Sequence, residues 1–384
     1  MKLLAIKPSK WLTVSLSALL LSAAFLGQAL AKDDFAAEGE RRAKLAGSEL
    51  LGKPAPQRQL TTLAGDKINL GELYGNKPVY IKFWATWCVP CRQQMPGFEK
   101  IYQEYGDKLQ VIAVNTGISD DSNSVGAFVK KAGLKMPVTI DDGSLARAFK
   151  LRVTPQHFLI DKNGHITYVG HQDDEALHQA LEQVIAGNHS NGPSGNAQAV
   201  SGSAVVRNMA EQASGYELGA EVSPMSLKAH DNSDYPLPSA ARHGKATGLV
   251  FFAPWCEWYL AESEPKTAKS CQLVRERVEQ FAADVAADNA TAESATVDNA
   301  VQWLHLSSNL WSTQADLVEY QSNYHTRLPI VFDEDGSLFE RFGVTQLPTI
   351  VFIDETGKIT EKVSLRAPDF AERLESLLAD LERK

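Results

Sequence analysis

The chain has 384 residues, 44% of them hydrophobic, which is enough for two domains that each bury a core without a disulfide framework. Its formal net charge is −9, and no cluster of Lys and Arg stands out. Because phosphate binding needs clustered cations, this pattern argues against nucleic acid or an anionic membrane as a partner.

The N-terminus has the pattern of a secretory signal peptide. Lysines precede a largely apolar run from Leu12 to Leu26, and the cleavage-like end Ala29-Leu30-Ala31 precedes a charged segment. An uncleaved membrane anchor is the alternative, which the shortness of the run disfavours. We therefore expect residues 1–31 to be removed. The mature chain, without a transmembrane segment, is expected in the periplasm, where disulfides persist.

Residues 50–187 are predicted to form a first domain. Its first part, Leu60 to Leu70, has the Gly65-Asp66 turn of a β-hairpin. The hydrophobic pattern then predicts, in chain order, a strand Val79–Trp84, a helix Cys88–Tyr105, a strand Gln110–Asn115, a helix Val125–Ala132, a short helix Ser144–Phe149, strands Gln156–Ile160 and His165–Val169, and a helix Asp174–Ile185. The order βαβαββα is that of a thioredoxin fold, in which helices flank a central mixed sheet.

Residues 188–245 are predicted to be a linker that is partly disordered. The stretch from Gly187 to Ser203 is rich in Gly, Ser and Asn, and it cannot bury enough apolar surface to fold. Weakly patterned sequence continues to about Lys245. We therefore place a second domain at residues 246–384.

The second domain repeats the first with an insertion. The following residues recur 193 positions later in the chain: Asp142-Gly143-Ser144-Leu145, Pro155, Asp161 and Gly164. Cys88 matches Cys256 at an offset of 168, whereas Cys91 matches Cys271 at an offset of 180. We therefore expect a second thioredoxin-like domain with about 12 residues inserted between its cysteines.

Cys88 and Cys91 are separated by two residues at the predicted start of a helix. A thiolate there faces unpaired backbone N–H groups and the positive end of the helix dipole, which lowers the thiol pKa. Cys91, about one turn away, can resolve a mixed disulfide on Cys88. A structural disulfide between near neighbours removes little chain entropy, and a zinc site needs two further ligands. The pattern therefore predicts a redox pair without metal, with Cys88 exposed and Cys91 shielded.

Further motifs frame this pair. They are Lys53-Pro54-Ala55-Pro56, the hairpin, the stretch FWATWCVPC from Phe83 to Cys91, Pro96, and Thr154-Pro155 followed by Phe158-Leu159-Ile160-Asp161. Together they resemble the TlpA/ResA-like thiol-disulfide oxidoreductases of the thioredoxin superfamily, over about residues 52–186.

The resemblance implies that Cys88 is the nucleophile and Cys91 the resolving thiol. It places Trp87, Thr154 and a cis Pro155 against the substrate, with Thr154 offering backbone hydrogen bonds. Proline frequencies alone favour the trans form. The resemblance also implies no cofactor, electrons from a membrane thiol-disulfide donor, and reduction of exported proteins with disulfides, often apocytochrome c or cysteines awaiting a metal.

Two residues depart from the family pattern. Gln94 stands where the family commonly has a glutamate, and Lys82 stands where thioredoxin has a buried aspartate. If Lys82 points inward, it can tune the redox chemistry of Cys91; the alternative is that it reaches the rim of the sheet. His157 is the one histidine considered for a local proton or metal role.

The predicted activity is that of a protein-disulfide reductase. Pro90 before the second cysteine, with no histidine inside the pair, favours a reductant over an oxidant. An oxidase or isomerase with the same chemistry is one alternative. A copper-binding or chaperone module is another, because thiolates also suit Cu(I).

Cys256 and Cys271 are predicted to form a disulfide that closes the inserted loop, ahead of a helix beginning near Gln272. An even pair of cysteines in an exported protein favours a bridge. A redox-active second centre is one alternative, and free thiols or metal binding is the other. Pro348 is expected to be cis, which would make the second domain a docking or dimerising module.

Overall fold

The structure, a computed structural model, describes residues 35–187, 215–238, 246–291, 301–365 and 367–382. The predicted signal peptide, residues 1–31, lies outside the described residues, as do residues 188–214 and 239–245 of the predicted linker. Within the described ranges, no helix is both long enough and apolar enough to cross a bilayer.

The first domain is built on a five-stranded sheet with the order β5-β4-β3-β6-β7. Its elements are α1 (residues 35–48), β1 (Gln59–Thr61), β2 (Lys67–Asn69), α2 (Leu70–Leu73), β3 (Val79–Trp84), α3 (Val89–Tyr105), β4 (Gln110–Asn115), α4 (Ser122–Ala132), β5 (Val138–Ile140), α5 (Ser144–Ala148), β6 (Gln156–Ile160), β7 (Ile166–Gly170) and α6 (Glu175–Ala186). The central strand β3 pairs parallel with β4 and antiparallel with β6.

The second domain has a five-stranded sheet of the equivalent order, β12-β11-β10-β13-β14. Its elements are β8 (Met225–Lys228), β9 (Asp234–Leu237), β10 (Ala246–Phe252), α7 (Cys256–Ser263), α8 (Pro265–Thr291), β11 (Val301–Ser307), α9 (Gln314–Tyr324), β12 (Ile330–Phe332), α10 (Ser337–Arg341), β13 (Thr349–Ile353), β14 (Ile359–Ser364) and α11 (Phe370–Glu382). The two mixed sheets flanked by helices confirm the predicted fold class of two thioredoxin-like domains.

The central strands explain why the two sheets lie at the middle of their domains. All six residues of β3 and all seven of β10 are buried. A nearly continuous apolar run is typical of a strand that is covered on both faces.

After β3, the chain turns at Ala85 to Trp87 and enters α3, where Pro90 occupies an early position that suits its fixed φ.

The predicted linker differs from the structure over residues 215–238. These residues form the hairpin β8–β9 and attach to the second sheet, because Tyr216 donates to the carbonyl of Arg341 at 2.8 Å and Gly219 to that of Ile359 at 2.7 Å. Isolated apolar residues such as Leu227 and Leu237 become buried in these contacts. We therefore propose that the second domain begins by residue 215.

The predicted boundary near Gln272 is also wrong, because Cys271 lies inside α8, which begins at Pro265. Proline favours the first turn of a helix, where its missing N–H has no partner to lose. The insertion is not a loop: it folds as α7 and the first turns of α8.

The two domains face each other through equivalent surfaces. Ser119 donates its N–H to the carbonyl of Thr345 at 2.7 Å, and Trp311 donates its own to the carbonyl of Arg152 at 2.8 Å. Ser119 and Trp311 are 192 residues apart, and Arg152 and Thr345 are 193 apart. The reciprocal contacts give the interface an approximate two-fold symmetry.

Candidate active site

The first cysteine pair lies where β3 passes into α3. Cys88 is the N-cap of α3, and Cys91 donates its N–H to the Sγ of Cys88 at 3.2 Å. The two sulfurs form a disulfide, with the Cα atoms 5.2 Å apart. An N–H aimed at this sulfur stabilises a thiolate on Cys88 when the pair is reduced.

The expected exposure of Cys88 is not found. Cys88 is 1% exposed and Cys91 0%, so both sulfurs are shielded in this arrangement of the domains. The residues on either side of Cys88 contact the second domain, Trp87 through Trp255 and Val89 through Tyr259. Such contacts could not be inferred from the order of elements within the first domain.

The loop before β6 lies against Cys88. The peptide bond between Thr154 and Pro155 is cis, and the Thr154 carbonyl oxygen is 3.3 Å from the Cys88 Sγ. The same oxygen accepts a hydrogen bond from the indole Nε1 of Trp311 at 3.3 Å. The family resemblance implies that the backbone of Thr154 binds substrate. In this structure its carbonyl oxygen is instead bonded to the second domain.

Aromatic rings from both domains close the other side of the pair. The ring of Trp87 stacks on that of Trp255, with centroids 5.2 Å apart, and contacts the ring of Tyr259 edge-on. The indole N–H of Trp87 donates to the carbonyl of Ile118 at 2.7 Å, which fixes its plane. The hydroxyl of Tyr259 accepts the N–H of Val89 at 3.3 Å.

Lys82 points inward, which excludes the alternative of a side chain at the rim. It is 1% exposed, and its Nζ lies 5.3 Å from the ring centroid of Phe98 in α3. Burial away from water lowers the pKa of Lys82 to about 7, and the carboxylate of Asp173 opposes this shift. Near neutral pH the side chain is therefore divided between ammonium and amine.

His157 pairs with Lys82 in the register of β3 and β6. Its Nε2 faces two acceptors, the Oε1 of Gln94 at 3.0 Å and the carbonyl of His171 at 3.1 Å, so this nitrogen carries the proton. Its Nδ1 then accepts from the Tyr80 hydroxyl at 2.7 Å. Burial and the nearby Lys82 hold the pKa of His157 well below its usual range. Gln94 thus orients a neutral imidazole.

The helix α1 contributes site residues that the sequence did not indicate. Glu40 accepts the N–H of His171 at 2.6 Å and that of Gln172 at 3.1 Å. His171 in turn bonds through Nδ1 to the carbonyl of Pro155 at 2.7 Å. At the start of α1, Phe35 stacks on Trp311 with centroids 4.5 Å apart. Nothing in the sequence of α1 indicated that this helix contacts the site.

The second domain places its cysteines at the equivalent end of its sheet. Cys256 begins α7 and is joined to Cys271 of α8 by a disulfide, and the peptide bond before Pro348 is cis. Beneath them His305 is fully buried, and neither ring nitrogen has a hydrogen-bond partner among the described residues. Desolvation lowers the pKa of His305 to about 4. No group of three His, Cys, Asp or Glu side chains converges as metal ligands in the described ranges.

Comparisons with known proteins gave a family model, sequence relatives and solved structures. A family model described as Redoxin matches residues 50–185. The thioredoxin-like protein YneN of Bacillus subtilis (strain 168) is 38% identical over 134 residues, covering 34% of this chain and 78% of YneN. A crystal structure of the pneumococcal exposed lipoprotein thioredoxin Etrx1 from Streptococcus pneumoniae strain TIGR4 is 27% identical, with a TM-score of 0.30, covering 34% of this chain and 99% of that one.

The thiol-disulfide oxidoreductase ResA of Bacillus thuringiensis (strain Al Hakam) is 38% identical over 138 residues, which are 35% of this chain and 78% of ResA. Such identity over most of a relative's length is accompanied here by a cysteine pair at the start of α3. The chain therefore belongs to the ResA-type thiol-disulfide oxidoreductases.

Proposed function

We propose that the protein is an exported reductase of protein disulfides, with Cys88 as the nucleophile and Cys91 as the resolving thiol. The observation that carries the proposal is the N–H of Cys91 aimed at the Cys88 Sγ at 3.2 Å, beside the Thr154 carbonyl. This environment favours negative charge on Cys88, which attacks as the thiolate. The signal-peptide pattern of residues 1–31 supports a periplasmic location.

In the reduced protein, the Cys88 thiolate attacks one sulfur of a substrate disulfide. A Cys88–substrate bond forms, and the other substrate sulfur leaves as a thiolate. The Cys91 thiolate then attacks the Cys88 Sγ, which releases the second substrate sulfur and closes the Cys88–Cys91 disulfide. Two electrons pass to the substrate, and a membrane thiol-disulfide donor restores the dithiol.

The proposed substrates are exported proteins with disulfides, including apocytochrome c and proteins whose cysteines await a metal. Trp87, Thr154 and the cis Pro155 would contact them once the Tyr259 and Trp311 side chains of the second domain have moved from the pair. We propose that Lys82 and Gln94 tune the redox chemistry of the two thiols. Lys82 would act through its partial protonation near neutral pH, and Gln94 through its hydrogen bond with His157. A side chain with a pKa near the working pH can both accept and return a proton.

Cysteine variants test the assignment on insulin as a model disulfide. Cys88→Ser should abolish reduction, because no attacking thiol is left, whereas Cys91→Ser should accumulate mixed disulfides on Cys88. The matched control is the double variant Cys256→Ser/Cys271→Ser, which keeps the first pair and should retain turnover. Equal residual turnover in the two single variants would contradict the assigned roles.

A further inference from the structure

A groove of about 740 Å³ lies beside the first cysteine pair, and both domains build it. Its floor is Val89 and Pro90, the two residues between the cysteines. One wall is α7 of the second domain, with Trp258, Tyr259 and Glu262. The volume lies within the ~300–1,000 Å³ range typical of sites that enclose a ligand.

The groove lies next to the reacting sulfur, because Val89 and Pro90 line it while Cys88 itself is 1% exposed. On the side of the cis-proline loop, the Trp311 indole already bonds to the Thr154 carbonyl at 3.3 Å. On the groove side, the hydroxyl of Tyr259 accepts the N–H of Val89, the residue next to Cys88. Displacement of the Tyr259 ring would extend the groove toward Cys88.

The lining indicates the chemistry of an occupant. Val89 is 38% exposed and Trp258 60%, so two apolar side chains remain open to water in this groove. The charged residues among those that line it are Asp173 and Glu262, both acidic. An apolar side chain of the occupant suits Val89 and Trp258. A Lys or Arg suits Asp173 and Glu262, because opposite charges attract at a surface that is partly shielded from water.

We infer that this groove docks an extended polypeptide segment whose cysteine is flanked by an apolar residue and a basic residue. The inference rests on the proposed function and adds the substrate class to it. The second domain then supplies half of the docking surface for the cysteine pair of the first, so it sets specificity through α7. Trp258 and Glu262 are the specificity residues, and they take no part in bond exchange.

Two synthetic peptides test this inference on the full-length, pre-reduced protein. Each has the same length and one internal disulfide; in one the cysteine is flanked by Leu and Lys, in the other by Ser and Glu. A small aliphatic disulfide, too short to reach α7, serves as the third substrate. Second-order rate constants for oxidation of the first pair are measured by acid quench and thiol alkylation.

We expect the wild-type protein to prefer the Leu/Lys peptide by about tenfold, the factor that corresponds to one modest contact. Trp258→Ser and Glu262→Lys should each remove most of this preference, measured as the ratio of the rates with the two peptides, and the small disulfide reports any structural effect of either substitution. Val318→Ser is the control, because Val318 is a similarly exposed apolar residue, 55%, that does not line the groove.

Equal rates with both peptides in the wild-type protein would overturn the inference, and so would a preference that survives both substitutions. A parallel loss toward the small disulfide would assign Trp258 a structural role instead, which also overturns it. Failure of the proposed function gives a different result: the wild-type protein would react with none of the three disulfides.

Discussion

A buried lysine in β3, the strand that leads to the first cysteine pair, is an unusual residue of this site. Lys82 is the residue of β3 opposite His157, and Phe98 of α3 offers its ring face to the ammonium group. The ring offsets only part of the lost hydration. Burial therefore lowers the pKa of Lys82 to about 7 from the value of 10.5 that it has in water.

Lys82→Met should stabilise the protein, and the gain should depend on pH. Between about pH 7 and 10.5 the unfolded chain binds a proton at Lys82 that the folded protein does not. The free energy of unfolding of the wild type therefore rises with pH in this window, by up to about 1.4 kcal/mol per pH unit. Below pH 7 Lys82 is buried as the ammonium ion, and the full free-energy cost of burying that charge lowers the stability of the folded protein. The advantage of Lys82→Met should thus be greatest near pH 6 and shrink toward pH 10.

Urea unfolding of both proteins at pH 6, 8 and 10 measures this difference. A constant advantage across the three values would mean that Lys82 is not desolvated in the folded protein. Lys82→Arg serves as a control, because its guanidinium stays protonated throughout and the stability of this variant should not acquire the same slope.

At the scale of elements, α7 and α8 act as one unit of the second domain. The disulfide between Cys256 and Cys271 joins them, and Arg275 of α8 makes a two-point ion pair with Glu257 of α7, at 2.7 and 3.0 Å. The Arg275 guanidinium also lies over the ring of Tyr324, 4.4 Å from its centroid. These contacts hold α7 where Tyr259 reaches the first domain.

The double variant Cys256→Ala/Cys271→Ala should lower the free energy of unfolding of the second domain by about 3 kcal/mol on the chain-entropy account of a bridge this short. The variant Glu257→Gln keeps the bridge and leaves the partly buried Arg275 charge without its carboxylate, so it measures the ion pair separately from the disulfide. Urea unfolding measures both.

Thiol counting at graded reductant concentrations separates a structural bridge from a redox centre. We propose a structural bridge, so Cys256–Cys271 should resist the concentration that opens Cys88–Cys91. Two pairs that titrate together would contradict that role.

The sequence allowed some of these elements to be predicted, for identifiable reasons. The strand β3 and the helix α3 were found because a buried apolar run passes directly into a Cys and Pro start signal. The strand β5 was missed, since three residues paired with β4 have too little periodicity to be recognised. In the candidate site, Cys88 and Cys91 followed from their spacing. The roles of Glu40 and Tyr259 did not, because they depend on contacts between distant segments.

At the scale of the whole molecule, one apolar cluster runs through both domains. It includes Trp87 and Cys88 of the first and Trp255 and Cys256 of the second. Arg147 and Glu340, which are 193 residues apart, form an ion pair across the same interface. The domains therefore bury the first cysteine pair by docking as a pseudo-symmetric pair.

Trp255→Ala should expose Cys88. Loss of the ring that stacks on Trp87 weakens the interface, and an aromatic pair contributes about 1 kcal/mol beyond its buried area. In the reduced protein, alkylation of Cys88 by iodoacetamide should become about tenfold faster or more. Peptide mapping by mass spectrometry gives the rate for each cysteine.

Val318→Ser, distant from the Trp87 contact, is the control and should leave the rate of Cys88 alkylation unchanged. If Trp255→Ala is alkylated at the wild-type rate while its unfolding midpoint is preserved, the docked arrangement does not protect Cys88 in solution.

The face of the second domain that covers Cys88 is part of the same polypeptide, so it acts as a tethered competitor. Modules joined by a short chain see each other at effective concentrations of about the millimolar range. A substrate must therefore bind well enough to displace the Tyr259 and Trp311 side chains of the second domain from the pair. Its apparent affinity falls in proportion to the fraction of molecules in which these side chains are displaced. Tethering thus sets an affinity threshold. A disulfide that binds more weakly than this threshold does not react with Cys88, however reactive its sulfurs are.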